Sequence, residues 1–195
     1  MKKIISLFLI LLASLSYAQN KVSTFKVGDP APEFKGIDQF DNLIELKSLL
    51  AHGPVLLVFY RGYWCPHCNK HLSNLQDSLE LITAKGVTVI AVTPESSESI
   101  EKTIEKTDAS FHILFDKDHM IVKKYRLSFE LKGPKKIAYK TWGINLEKIN
   151  GEEDNILPVP ATYLIGQDGI IKFLHYETDY TTRSSVKEIL NSLNE

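Results

Sequence analysis

Apolar and polar positions along this 195-residue chain fall into three patterns, and each marks a kind of element. Residues 55–59 and 87–92 are apolar runs of strand length, the composition of strands buried on both faces. Between them Cys68, Leu72, Leu75, Leu79 and Ile82 recur at spacings of four and three until Gly86 stops the pattern, which predicts one helix packed on a sheet. A polar helix over 97–107, a strand over 111–115 and a helix over 117–125 follow. Strand and helix therefore alternate as βαβ units around a mainly parallel sheet.

The flanks add antiparallel pieces. Pro30 and Pro32 fix an extended entry into a hairpin, 34–37 and 43–46, turned at Asp41-Asn42, and a short helix over 47–51 leads to the first buried strand. Residues 127–155 lose periodicity and are expected to form a surface insertion. Lys132, Lys135 and Lys136 sit near its Gly133-Pro134, and Glu152, Glu153 and Asp154 near its end, all read as solvated. The pattern resumes as a hairpin, 161–165 and 170–174, and a last helix carries Val186, Ile189, Leu190 and Leu193 on one face.

Composition leaves this picture standing: 44% hydrophobic and 24% charged residues suit one globular domain. The first 18 residues alter the charge and the compartment. Lys2 and Lys3, an apolar stretch over 4–15 and then Ser16-Tyr17-Ala18 have the three regions of a secretory signal peptide, so a leader over 1–18 and a domain over 19–195 are expected. The stretch falls short of the roughly 20 residues that span a bilayer. Losing Lys2 and Lys3 leaves 21 basic against 24 acidic residues, a charge of −3 that gives no footprint for nucleic acid. Export, to the periplasm or the medium, places both cysteines where disulfides persist.

Those two, Cys65 and Cys68, follow the first buried strand at once, spaced Cys-x-x-Cys at the start of a helix. Free N–H groups and the positive end of the helix dipole favour a thiolate there. Cys65 is expected to be the exposed nucleophile and Cys68 the resolving thiol. Pro66 can occupy the first helical turn without wasting a hydrogen bond, and a protonated His67, with Arg61, would favour the thiolate. A purely structural disulfide closing so short a loop would stabilise the chain by only about 2 kcal/mol. Cys65, Cys68 and His71 have the spacing of metal ligands, but a structural zinc site commonly adds a second pair, and this chain has no further cysteine. No metal is therefore expected, and no cofactor beyond the redox-active Cys65–Cys68 pair. His71 reads as a helix-surface residue.

Four segments resemble the AhpC/TSA peroxiredoxin-like family of the thioredoxin superfamily: 27–34 with its Gly-Asp-Pro-Ala-Pro, 59–68 with Trp-Cys-Pro-His-Cys, 157–165 with Pro-Val-Pro-Ala-Thr, and 179–183. The resemblance implies an α/β thioredoxin fold, a central mixed sheet flanked by helices, with an N-terminal hairpin and an insertion before the last one. It implies that the dithiol faces Pro160, with that bond cis, so that Val159 could pair with a substrate strand while Tyr63 and Trp64 shield the disulfide and meet substrate. Two departures bear on activity. Where typical members read Pro-x-x-x-Thr-x-x-Cys, ending in the peroxide-attacking Cys, this chain has Arg61, Cys65 and Cys68 at the three places, and Pro160 stands where a peroxide-orienting Arg is usual. The expected activity is thiol–disulfide exchange through Cys65 and Cys68 with protein disulfides, served by a thioredoxin-like or membrane-linked thiol partner. The alternatives are a thiol peroxidase acting on hydroperoxides and a non-catalytic binding module.

Overall fold

The computed structural model describes residues 25–151, 155–177 and 179–193; the leader expected over 1–18 and the acidic run 152–154 lie outside them. A hairpin, β1 (Lys35–Asp38) and β2 (Leu43–Glu45), and a short helix, α1 (Leu46–Leu50), precede β3 (Val55–Phe59). Next come α2 (Pro66–Asp77), α3 (Leu79–Thr83), β4 (Thr88–Thr93), α4 (Ser97–Thr107), β5 (His112–Phe115) and α5 (Met120–Lys124). The insertion forms β6 (Ser128–Glu130), α6 (Pro134–Thr141), α7 (Leu146–Asn150) and β7 (Ile156–Pro158), and the chain ends in β8 (Ala161–Ile165), β9 (Ile171–Tyr176) and α8 (Val186–Ser192). No helix among the described residues is long and apolar enough to cross a membrane.

Seven strands make one sheet in the order β2-β1-β5-β4-β3-β8-β9, with β3, β4 and β5 parallel and the outer neighbours antiparallel. This is the mixed sheet the sequence implies. Because β3 is central, both its faces are covered: Val55, Leu57 and Phe59 pack with Tyr125 and Tyr163 on one side, and Leu56 and Val58 pack with Leu72, Leu75 and Ile82 on the other. Each such fully buried leucine contributes about 1.5–3 kcal/mol.

Three details depart from the sequence pattern. The single helix expected up to Ile82 breaks at Ser78, which leaves the helical region at φ −110°, ψ 9° and closes α2 with a tight bond to the Leu75 carbonyl. The helix expected over 117–125 starts late, at Met120. Asp118 and His119 are left-handed, and the Asp116 carboxylate takes the N–H groups of Ile121 and Val122 at 2.7 and 2.8 Å, capping the helix from across that turn. The insertion is not a solvated appendage: Leu131, Leu146 and Leu157 form a small core of their own, against which Trp64 of the dithiol turn and Tyr139 pack. Its short elements share three buried leucines rather than one continuous face, so no helical or strand period shows in the sequence.

Candidate active site

The turn between β3 and α2 is built around Gly62. Its φ of +147° suits glycine, and a Cβ there would stand 2.6 Å from Trp64 Nε1 and 3.0 Å from Glu95 Oε1. Glu95, two residues past β4 and fully buried, accepts from the Tyr63 N–H and the Thr103 hydroxyl, both at 2.7 Å. Burial raises its carboxyl to about 7, against those hydrogen bonds. The turn is thereby tied to the sheet and to α4.

Cys65 is the N-cap of α2 and Pro66 occupies the first turn, as expected. The Cys65 Sγ accepts from the Cys68 N–H at 3.3 Å and from Arg61 Nη2 at 3.4 Å. A hydrogen bond from the Cys68 thiol first, and the Arg61 charge after it, bring the Cys65 thiol down to about 5 against the opposing effect of burial. Cys68 moves the other way: burial first, then the Cys65 thiolate beside it, push it well above the usual range, and Arg183 works against both. Both cysteines are free thiols in this structure. Cys65 is fully buried, not exposed, because Arg61 lies against its sulfur and Trp64 packs beside it.

Arg61 is the centre of the site. It is 4% exposed, donates to the Tyr139 hydroxyl at 3.1 Å through Nη1, and lies 4.1 Å from the Tyr180 ring centroid and 5.1 Å from that of Trp64. Burial opposes its charge, and the Cys65 thiolate more than restores it. Arg183, to which the sequence pointed only as part of a segment, holds the second sulfur: Nη2 donates to Cys68 Sγ at 3.4 Å, while the carbonyls of Tyr180 and Thr182 hold Nη1. Each thiol thus has its own guanidinium. Tyr139 and Glu95 escaped the sequence reading, and Tyr180 and Arg183 entered it only inside the segment 179–183 that carries the family resemblance, with no role attached.

The remaining expected residues are placed as follows. His67 is exposed, with its ring 6.1 Å from that of Tyr180, and the positive charge expected of it is supplied by Arg61. Tyr63 turns toward α4, its ring 5.4 and 5.0 Å from the amines of Lys102 and Lys106, and away from the groove described below. His71 is buried, not on the helix surface; burial, then the charges of Arg183 and His175, lower it to about 3. No cis peptide bond occurs among the described residues, so the bond before Pro160 is trans, contrary to expectation. Val159 is committed elsewhere: its N–H donates to the Leu127 carbonyl at 2.8 Å as β7 pairs with β6, which holds the chain extended into β8.

A groove of 340 Å³ is lined by Arg61, Phe129, Tyr139, Trp142, Val159, Pro160 and Tyr180; neither cysteine lines it, and Arg61, bonded to the Cys65 sulfur, joins it to the thiols. A larger cleft of 1090 Å³, between Phe34, Leu50 and Met120, includes neither cysteine nor Arg61 in its lining. The chemistry belongs with the smaller one.

Residues 27–174 match the AhpC/TSA family. Peroxiredoxin Bcp of Escherichia coli K12 is 27% identical over 174 residues, 89% of this chain and 99% of that one. Thiol-disulfide oxidoreductase ResA of Bacillus cereus is 23% identical over 175 residues, 89% of this chain and 82% of that one. Among solved structures, peroxidoxin BcpB of Mycobacterium tuberculosis superposes with a TM-score of 0.67 at 18% identity, covering 87% of this chain and 97% of that one, which shows a shared fold.

Proposed function

The chain belongs to the AhpC/TSA family and is a thiol-dependent oxidoreductase, and from that premise we propose that it exchanges thiol and disulfide through Cys65 and Cys68. One observation carries this: a thiolate-favouring Cys65, bonded to Arg61 and to the Cys68 N–H, with a protonated second thiol one turn along the same helix. The Cys65 thiolate attacks a substrate disulfide, forming a Cys65–substrate bond and expelling the other substrate sulfur as thiolate. Cys68 then loses its proton and attacks Cys65 Sγ, which expels the second substrate thiolate. The substrate gains two electrons and the pair becomes a disulfide. A thioredoxin-like or membrane-linked thiol partner reverses the oxidation, and the cycle needs no cofactor besides the pair. The leader-like residues 1–18 support a periplasmic or secreted setting.

Hydroperoxide reduction is the second reading, favoured by the resemblance to Bcp and by Arg61, whose guanidinium could also donate to a peroxide oxygen. There the Cys65 thiolate would take one oxygen as sulfenic acid, releasing water or an alcohol, and Cys68 would condense with it, releasing water. Stopped-flow oxidation of the reduced protein separates the two. Hydrogen peroxide is expected to react more slowly than hydroxyethyl disulfide, with a Cys68→Ser variant trapping the substrate on Cys65. A peroxide rate equal to or above the disulfide rate makes the protein a peroxidase first. Sulfenic acid on Cys68 in a Cys65→Ser variant reverses the two cysteines' roles.

A further inference from the structure

The helix α6 buries none of its residues, yet it forms one wall of the groove beside Arg61. Lys135, Ala138, Tyr139 and, just past its end, Trp142 recur at helical spacing along that wall. Trp142 is 70% exposed, and an aromatic series runs inward from it: its ring is 6.1 Å from that of Tyr139, which is 5.3 Å from Trp64 beside Cys65. The helix that carries this series is basic, with Lys135 on the groove itself and Lys136 and Lys140 on the adjoining pocket. Lys135, Lys136 and Lys140 lie on α6 with Lys132 just before it, and 134–141 contains no acidic residue, although the whole chain has 24 acidic against 23 basic. Lys132 and Lys136 share exposed ion pairs with Glu130 and Glu147; no carboxylate among the described residues pairs with Lys135 or Lys140.

We propose that this groove and α6 form the docking surface for a partner protein that presents an apolar side chain next to its reactive cysteine, with acidic residues around it. The proposal rests on the thiol–disulfide reading and names the partner's chemistry. A volume of 340 Å³ lies at the small end of the roughly 300–1,000 Å³ typical of small-molecule sites, so the groove suits one anchoring side chain of a larger body. Exposed Trp and half-buried Tyr beside a pocket are the residue types that carry interface energy, and Lys135 on the groove with Lys140 on the adjoining face of α6 steer and orient an acidic partner. An uncharged hydroperoxide could fill the groove but would make no use of the lysines.

The test uses the reduced full-length protein and two synthetic pentapeptides with a shared central Phe-Cys, one flanked by glutamates and one by lysines, each as a mixed disulfide with a pyridinethione leaving group. At low salt the acidic peptide is expected to react about tenfold faster than the basic one, with the ratio falling toward one as salt is added. The ratio should fall likewise in Lys135→Glu/Lys140→Glu, whose two changes are on the surface of α6. Replacing the peptide's Phe by Ser, or Trp142 by Ala, should slow the acidic peptide by about fivefold. Equal rates for the two peptides, or a preference that survives Lys135→Glu/Lys140→Glu, overturns the docking surface. Cumene hydroperoxide outpacing both peptides, with a rate that falls in Trp142→Ala, also overturns it and gives the groove to small apolar peroxides. Hydroxyethyl disulfide distinguishes the two levels: a protein inert to it fails the thiol–disulfide reading itself, whereas one that reduces it and ignores peptide charge fails only the docking surface.

Discussion

Replacing Arg61 by Met should change the Cys65 thiolate in a way that one alkylation profile can expose. The guanidinium is buried and bonded directly to the sulfur. A hydrogen bond to a charged group contributes about 1.5–3 kcal/mol and one pKa unit corresponds to about 1.36 kcal/mol, so the thiol should rise from about 5 to about 6.5. Thiolate reactivity grows with basicity along a Brønsted slope of about 0.4–0.5, which makes the variant's thiolate about fivefold more nucleophilic. Scarcity opposes this. At pH 5 the ionised fraction falls from about one half to about 3%, and alkylation slows about threefold; at pH 7 it falls only from near unity to about three quarters, and alkylation quickens about fourfold. The profiles of variant and parent therefore cross. Iodoacetamide labelling between pH 4 and 9 (about the range any thiol of this kind titrates over), with mass spectrometry assigning the label to Cys65, measures both midpoint and crossing. Arg61→Lys, which keeps the charge and loses the fork, should fall between the two and guards against a misfolded Met variant. A midpoint within about 0.3 units of the parent, or profiles that never cross, would refute Arg61 as a contributor to the thiolate beside the Cys68 thiol.

Arg183→Met should slow resolution of a trapped Cys65 mixed disulfide by about three- to tenfold while leaving the first attack alone, because once Cys65 is bonded its charge no longer opposes ionisation of Cys68 and only burial does; an unchanged intermediate lifetime across pH rejects this. Glu95 is an acid whose folded pKa is raised to about 7, so its contribution to stability is lost as pH climbs from its unfolded value through about 7. Urea unfolding should accordingly show Glu95→Gln gaining on the parent across that window, by at most about 3 kcal/mol, and a pH-independent difference would remove Glu95 as the titrating group. Cys65 has the opposite sign: its folded pKa is depressed, so its stabilisation of the reduced protein is complete above the unfolded value of about 8.5 and is lost as pH falls through about 5. Chemical denaturation of the reduced protein should show that loss, and the disulfide form, which has no such thiol, should not.

Much of this protein was legible without coordinates because it is local. Unbroken apolar runs identified β3 and β4, since a central strand must be apolar on both faces. The four-and-three spacing from Cys68 to Leu75 identified α2, and the Cys-x-x-Cys step at a strand end placed one sulfur at a helix cap and the other a turn further on. Local spacing failed where a remote group decides the outcome. His67 neighbours both cysteines in sequence, but two residues along a helix is about half a turn, so its ring faces outward. The cations that meet the sulfurs are Arg61, across the turn, and Arg183, 115 residues from Cys68.

The insertion shows the same division from the other side. Its lysines, its Gly-Pro step and its lack of period were all visible, and they suggested a solvated loop. What they could not convey is that Leu131, Leu146 and Leu157 meet in space, seat Tyr139 against Arg61 and close one wall of the groove. The Val159 N–H likewise looked free to receive a substrate strand, but the carbonyl of Leu127, just before β6, takes it. Periodicity records which side of an element turns inward, because each residue's direction follows from its own backbone. Which partner waits there is set by chain closure over tens of residues, and only the folded chain contains that information.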